Sequence, residues 1–136
     1  MISEKRKYIR FQAQDNIYAA LGTHYSKVGK LKDISVGGLA FEYIENTEAC
    51  EPDCSKVAIF HSENGFYLPD LACRIICDSP ICVMNKKSIF KPLYLIKRCA
   101  VEFLIITPLQ REKLEYFLTH YTCGLAPSSQ ELNTLP

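Results

Sequence analysis

Short apolar stretches separated by turn-forming residues follow one another from residue 17 to residue 106. In several of them polar and apolar side chains alternate, so that Leu39, Phe41 and Tyr43 share one face, which is typical of half-buried strands. Many short strands between turn signals predict a mainly β protein built as a small antiparallel barrel. The predicted strands are Ile17–Leu21, 25–33, 39–43, Lys56–His61, 66–77, 81–84, 89–96 and 97–106.

Turn signals set the boundaries between these strands. Residues 35–38 are predicted to turn because adjacent glycines permit positive φ, and Asn64-Gly65 is a strong hairpin signal. Residues 78–80 and 86–87 are predicted to turn the chain again, whereas Pro69 indicates a bend or an edge position. Residues 45–55 are predicted to form a polar loop.

A different periodicity follows residue 106. Thr107 is placed at the N-cap of a helix, Pro108 at its first position and Gln110 at its third, which is the pattern of a capping box. Apolar residues then recur at helical spacing, and Gly124 is predicted to end the helix. These apolar residues are Leu114, Phe117, Leu118 and Tyr121.

The two ends of the chain differ in composition from its middle. Residues 1–16 are polar and charged and are predicted to form a flexible, extended arm, and residues 125–136 a disordered tail. The 136 residues, 48% of them hydrophobic, suffice for one domain with an adequate core. We therefore predict an arm over 1–16, a barrel with its C-terminal helix over 17–124, and a tail over 125–136.

The charge is uneven although the formal net charge is only +1. The near-neutral total disfavours a general binder of nucleic acids or membranes. Lys5, Arg6, Lys7 and Arg10 crowd the first ten residues with Glu4 as the only acid there, which fits a small anionic ligand. No apolar run is long enough to span a bilayer, and the N-terminus lacks the apolar stretch of a signal peptide, so a cytoplasmic location without membrane insertion is predicted.

Seven cysteines raise the alternative of a redox or zinc sensor. Their odd number and scattered spacing argue against a disulfide framework. Three residues separate Cys50 from Cys54 and Cys73 from Cys77, whereas structural zinc sites usually contain tighter Cys-x-x-Cys knuckles. We therefore predict no metal site and interpret Cys73, Cys77 and Cys99 as small apolar core residues.

Two short motifs carry candidate binding chemistry. Arg6 and Arg10 supply forked donors that can clamp a phosphate or reach guanine O6 and N7. Asp33 can accept from the N1–H and N2–H₂ groups of guanine. Ser35 adds a small donor and acceptor, and Gly38 leaves room for a ring or a phosphate against the backbone. The alternative for this second motif is an ordinary β-turn, in which Asp, Ser and Gly are the expected residues.

In this order the two motifs resemble those of the PilZ domain, a bacterial receptor for cyclic di-GMP. Arg6 and Arg10 match its Arg-x-x-x-Arg pattern, and Asp33, Ser35 and Gly38 match its Asp-x-Ser-x-x-Gly pattern. Residues 98–103, Arg-Cys-Ala-Val-Glu-Phe, are similar to the family's late strand, with alanine where glycine is common. The resemblance implies a six-stranded barrel with a C-terminal helix, and an arm that folds over cyclic di-GMP and binds it through both arginines.

The resemblance also implies further candidate residues. In the family the residue before the first arginine, here Lys5, helps to decide whether one nucleotide or a stacked pair is bound. Gly37 and Arg98 are additional candidate ligand-binding residues, although a turn position for Gly37 and exposure on the barrel wall for Arg98 are simpler accounts. Tyr8 is predicted to pin the arm to the barrel rather than to stack on a base.

The predicted function is a cyclic di-GMP receptor whose arm changes conformation on binding and which signals to a separate, unidentified protein effector. Members of the family act on motility, biofilm matrix export and virulence. The main alternative is a PilZ-fold adaptor that binds protein but no nucleotide, and the charge disfavours a barrel that binds RNA or DNA. No nucleophile–base arrangement is recognisable, so neither enzymatic activity nor a cofactor is predicted. Either a monomer or a homodimer fits the sequence.

Overall fold

The computed structural model describes residues 8–45, 54–84 and 94–126. The described residues form eight strands and one helix, and their order confirms a mainly β protein with a C-terminal helix. The elements are β1 (Phe11–Ala13), β2 (Ile17–Leu21), β3 (Lys27–Ser35), β4 (Gly38–Ile44), β5 (Lys56–His61), β6 (Tyr67–Met84), β7 (Tyr94–Phe103), α1 (Pro108–His120) and β8 (Thr122–Leu125).

Six of these strands close into an antiparallel barrel, as the resemblance implied. Neighbouring strands follow the order β2-β5-β6-β7-β4-β3, and β2 also pairs with β3 to complete the ring. The closing pairs run from Tyr18↔Lys30 to Leu21↔Lys27, so β2 uses the first half of the long strand β3. The second half of β3 pairs instead with β1, and β1 pairs with β8. Two short strands, one from each end of the chain, therefore lie beside the barrel.

The core fills the inside of this barrel. The predicted face of β4 is confirmed, because Leu39, Phe41 and Tyr43 all belong to the buried cluster. The helix covers the barrel through Leu114 and Phe117, whose side chains are fully buried. The largest fully buried side chains of the strands are those of Ile17, Leu21, Leu31, Ile34, Leu39, Phe41, Val57, Ile59, Leu68 and Leu71.

Strand β6 is longer than predicted, and the predicted turn at residues 78–80 is wrong. The strand runs through Asp78, Ser79 and Pro80 while pairing with β7, with register shifts on either side. Pro80 is tolerated because β5 pairs with β6 only near its start, as in Lys56↔Ala72, so residue 80 lies where β6 has one described neighbour. The predicted bend near Pro69 is confirmed by a register shift in the β5–β6 pairing.

Two further predictions about β6 and β7 have mixed outcomes. Within the described residues, the predicted strands 89–96 and 97–106 form one strand, Tyr94–Phe103, which ends before residues 104–106; residues 89–93 lie outside the described residues. The predicted turn at 86–87 lies outside the described residues, as does most of the predicted polar loop, residues 46–53.

The start of the helix is confirmed and its predicted end is wrong. The backbone N–H of Gln110 donates to Thr107 Oγ1 at 3.2 Å, and the backbone N–H of Thr107 donates to Gln110 Oε1 at 3.1 Å, which completes the capping box. The helix ends at His120, before the predicted stop at Gly124. Gly124 instead lies in β8, where its φ of 125° accompanies a register shift against β1.

Candidate ligand-binding site

The carboxylate of Asp33 is the centre of a charged cluster on the outside of the barrel. Arg10 Nη1 lies 2.7 Å from Asp33 Oδ1, and Arg98 Nη2 lies 2.7 Å from Asp33 Oδ2. A second carboxylate follows, because Arg98 Nη1 lies 3.8 Å from Glu42 Oε2. Asp33 is buried under these guanidinium groups, with 8% of its side chain exposed, whereas 37% of the Arg98 side chain remains accessible.

Strand pairing explains why residues far apart in sequence meet here. The pairs Phe11↔Ile34 and Gln12↔Asp33 lay β1 along β3, which brings Arg10 beside Asp33. The pair Glu42↔Arg98 places β7 at the same level on the other side of β4. A register shift in β3 between Leu31 and Asp33 sets the direction of the aspartate. Because Leu31 and Ile34 both point into the core, the two residues between them project outward.

Ser35 and the two glycines form the turn between β3 and β4. The Ser35 hydroxyl accepts from the Gly37 N–H at 3.0 Å and donates to the Gly38 carbonyl at 3.4 Å. The side chain is buried, which fits the β-turn alternative for this residue. Among the described glycines, left-handed φ values belong to Gly22, Gly65 and Gly124, so the predicted reason for glycine in this turn is wrong.

Close packing requires these two glycines instead. A Cβ atom at Gly38 would collide with the backbone carbonyl of Val101 in β7. A Cβ atom at Gly37 would collide with the ring of Tyr8, which lies against the Gly37 backbone. The Gly37 carbonyl also accepts from the Phe103 N–H at 2.9 Å. Tyr8 therefore rests on the barrel, as predicted for an anchor of the arm.

The structure brings together some of the sequence-predicted site residues and leaves others aside. Arg10, Asp33 and Arg98 form one cluster, with the 35–38 turn following directly in β3 and β4. Arg6 and Lys5 lie outside the described residues. Sequence reasoning missed Glu42, since only its register partner in β7 reveals that it faces Arg98. An alternation argument along β4 could have placed it on the outer face.

The cluster combines features suited to an anionic, hydrogen-bonding ligand. Two guanidinium groups supply forked donors for phosphate or for the O6/N7 edge of guanine. An ionised carboxylate has about four lone-pair positions, so Asp33 keeps acceptor capacity beyond its two arginines. Each arginine donates one hydrogen bond to Asp33, so exchange of one arginine for a guanine N1–H and N2–H₂ edge would not reduce the number of hydrogen bonds on that carboxylate.

The cysteines do not assemble into an alternative centre in the part of the chain that is described. No group of three histidine, cysteine or acidic side chains there could hold a metal ion. Cys73 and Cys99 are buried core residues, as predicted, but Cys77 is exposed, so its core assignment is wrong. Burial raises the pKa of the Cys73 thiol to about 11 and that of the Cys99 thiol to about 12. Raised pKa values keep these two thiols protonated and poorly reactive.

The geometry defines a small antiparallel barrel with a charged cluster on its outer face. No family model matches the sequence, and no curated protein matches it. Among solved structures, the PilZ domain of YcgR from Escherichia coli with c-di-GMP superposes with a TM-score of 0.61 at 18% identity. That match covers 87% of this chain and 92% of the other.

Larger proteins share the same fold over part of their length. MrkH, a c-di-GMP-dependent transcription regulatory factor, matches with a TM-score of 0.59 at 14% identity, over 87% of this chain and 51% of MrkH. The MrkH–c-di-GMP complex from K. pneumonia gives 0.56 at 17% identity, over 87% and 52%. The chain thus spans about half the length of MrkH. It has the fold of a PilZ domain, which confirms the resemblance seen in its motifs.

In the described residues no helix is both long enough and apolar enough to cross a membrane.

Proposed function

We propose that this protein is a cyclic di-GMP receptor that passes its signal to a separate protein partner. The observation that carries the proposal is the carboxylate of Asp33 held between Arg10 of the N-terminal segment and Arg98 of the barrel wall. The PilZ fold supports it, as do the c-di-GMP-bound neighbours that share this fold. The nucleotide is a ligand here, and the protein a receptor rather than an enzyme.

In the proposed mechanism the nucleotide takes over contacts within the arginine–aspartate cluster. One guanine edge binds Asp33 while Arg10 and Arg98 turn toward phosphate and base oxygens. Arg6 and Lys5 are proposed to join from the arm, and the 35–38 turn, with Ser35 and Gly38, to border the nucleotide. In the structure Tyr8 already lies against the Gly37 backbone, and Arg10 already contacts Asp33. The proposed conformational change therefore rearranges the arm around Asp33. The surface changed in this way is proposed to be what the partner protein recognises.

The alternative is a PilZ-fold adaptor that binds a partner without nucleotide. In such an adaptor no ligand would change the arginine–aspartate cluster. The cluster would have a structural role only, which is to hold the arm on the barrel. A cytoplasmic location and a role in motility or biofilm regulation remain part of the proposal for a receptor. The two functions make opposite predictions about nucleotide binding, so one titration separates them.

Isothermal titration calorimetry with cyclic di-GMP tests the proposal. Wild-type protein should bind and yield the stoichiometry, one nucleotide or two. Loss of a bidentate contact in Arg10→Ala or Arg6→Ala should weaken binding by about 1–3 kcal/mol, or roughly 5- to 150-fold. Arg74→Ala is the matched control, because Arg74 pairs with Glu102 at 2.6 Å on the exposed barrel wall.

Cyclic di-AMP is the control ligand, since adenine lacks the N1–H and N2–H₂ donors that Asp33 would accept. Equal binding of the two nucleotides would overturn the guanine assignment. Wild-type protein that shows neither heat nor a thermal shift with cyclic di-GMP would overturn the receptor proposal and leave the adaptor.

A further inference from the structure

The C-terminal strand β8 holds the backbone of Arg10 itself. The Ala126 N–H donates to the Arg10 carbonyl at 3.0 Å, immediately after Leu125 pairs with Phe11. Arg10 is thus held at two points that come from different parts of the chain. Its side chain contacts Asp33 in the barrel, and its main chain contacts the residue that follows β8.

More contacts tie the same two segments together. The Gln14 N–H donates to the Tyr121 carbonyl at 3.0 Å. The Gln14 side-chain amide donates to the carbonyls of His120 at 3.3 Å and Thr122 at 3.4 Å, at the point where the helix ends. Strand β1, only three residues long, therefore has β3 on one side and β8 on the other.

The helix that precedes β8 is packed firmly on the barrel. Leu114 and Phe117 are fully buried in the core. Gln110 Nε2 donates to the Asp70 carbonyl at 3.0 Å, and Lys113 Nζ donates to the Tyr67 carbonyl at 2.8 Å, both in β6. Any change in the position of β8 relative to the helix is transmitted to β1 through the hydrogen bonds that join the two strands.

We infer that the segment from Tyr121 to Ala126 positions Arg10 for the nucleotide and is energetically linked to nucleotide binding. The inference rests on the proposed receptor function and adds a C-terminal element to a site described so far by an N-terminal arm and barrel strands. Forked arginine contacts depend on geometry, so a shift of the Arg10 backbone changes how its guanidinium meets Asp33 and the ligand. Because linkage is reciprocal, a partner that binds β8 changes the affinity for the nucleotide, and the nucleotide changes the affinity for that partner.

The test variant and its control differ in whether residue 126 has a backbone N–H. Ala126→Pro removes the N–H that donates to the Arg10 carbonyl, whereas Ala126→Ser keeps it. Loss of one such hydrogen bond should weaken cyclic di-GMP binding about three- to tenfold in Ala126→Pro, and Ala126→Ser should bind like wild type. The melting temperature of the barrel should remain close to that of wild type in both variants.

A double-mutant cycle separates positioning from general support. If Ala126 acts through Arg10, Ala126→Pro should weaken binding in the wild-type background and have no further effect in Arg10→Ala. The same fold loss in both backgrounds would overturn the inference, because a purely structural role predicts additivity. Should Ala126→Pro not fold by circular dichroism, Gln14→Met takes its place, since methionine keeps the length of the side chain and loses both amide donations.

Failure of this inference is distinguishable from failure of the proposed function. Wild-type protein that binds cyclic di-GMP, together with Ala126→Pro and Gln14→Met proteins that bind it equally well, overturns the role of β8 alone. Wild-type protein that does not bind overturns the receptor function and with it this inference.

Discussion

Two carboxylates lie on opposite sides of the same β4–β7 ladder, and each is held by two donors. The pair Glu42↔Arg98 belongs to the outer cluster around Asp33, and the next pair, Tyr43↔Lys97, belongs to an inner cluster. Successive residues of a strand point to opposite faces, so adjacent steps of one ladder serve both clusters.

The inner cluster is built around Asp78. Tyr43 donates its hydroxyl to both carboxylate oxygens of Asp78, at 2.8 and 3.0 Å, and Lys97 Nζ lies 3.6 Å from Asp78 Oδ2. Burial, reinforced by the hydrogen bond to Asp78, raises the pKa of Tyr43 far above its usual value. Each of these three residues belongs to a barrel strand, so this network fixes the register of β4, β6 and β7.

The difference between the clusters lies in where the donors come from. One donor to Asp33 comes from Arg10, outside the barrel, and its second arginine is more than one-third exposed. A buried carboxylate with two partners is therefore not by itself a sign of function. What distinguishes Asp33 is that both partners carry forked guanidinium groups, that Arg98 is partly accessible, and that Arg10 belongs to a segment that reaches the barrel from outside.

The largest effect is expected from Asp33→Ala. This change removes the proposed acceptor for guanine and leaves two guanidinium groups without their carboxylate, so cyclic di-GMP affinity should fall about 100-fold. The free energy of unfolding should also fall because two ion pairs are lost. The expected loss is roughly 1–3 kcal/mol, since partial solvation of the arginines limits it. Calorimetry and urea unfolding measure the two quantities. Asp33→Asn, which keeps one acceptor, should be intermediate, and wild-type affinity in Asp33→Ala would contradict the proposed site.

The opposite pattern is expected from Asp78→Ala in the inner cluster. The Tyr43 hydroxyl would lose its acceptor while remaining buried, which should lower the free energy of unfolding by about 1–3 kcal/mol. Cyclic di-GMP affinity should stay within about twofold of wild type, since the inner cluster does not face the ligand. Urea unfolding and calorimetry provide the comparison, with the exposed neighbour Ser79→Ala as the control. A large loss of affinity would show that the two faces are coupled.

Adjacent residues on the two faces sharpen the contrast further. Arg98→Gln removes the second guanidinium from Asp33, so nucleotide affinity should fall about three- to tenfold. Lys97→Gln removes a cation of the same strand whose side chain meets Asp78 and Glu45, and affinity should not change. Both variants are measured by calorimetry. Equal losses would indicate that overall positive charge, rather than contact with Asp33, determines binding.

Local signals predicted those features whose causes are local. The capping box at Thr107 and Gln110 was predictable because its partners are three residues apart. The pairing of Arg10 with Asp33 was indicated by two motifs in a known order. In contrast, the approach of Arg98 and Glu42 depends on the register between β4 and β7, which the composition of neither strand specifies.

Strand β8 is another feature that local sequence signals could not predict. Gly124 is a common helix-stop residue, so the helix was predicted to reach it. The chain leaves the helix at His120 instead, because residues 122–125 pair with a strand more than one hundred positions earlier. Four residues carry too little periodicity to predict a strand, and a pairing over that separation leaves no local signal.

The last expected effect concerns the two buried thiols of the core and appears only at alkaline pH. Burial raises the pKa of Cys73 to about 11 and that of Cys99 to about 12, from 9.0 in both cases. The folded protein therefore keeps protons that the unfolded chain loses above pH 9, so this contribution to stability is complete below pH 9 and is lost as the pH rises toward 11 and 12.

Between pH 9 and pH 11 the free energy of unfolding should fall by about 1.4 kcal/mol per pH unit for each thiol, in addition to other titrations. Cys73→Ala and Cys99→Ala should each reduce this slope in urea unfolding, whereas Cys77→Ala, which alters an exposed cysteine of β6, should not. An unchanged slope in both buried variants would contradict the assignment. At neutral pH the two buried thiols stay protonated in either case, so neither has the thiolate character that a redox-sensing cysteine needs.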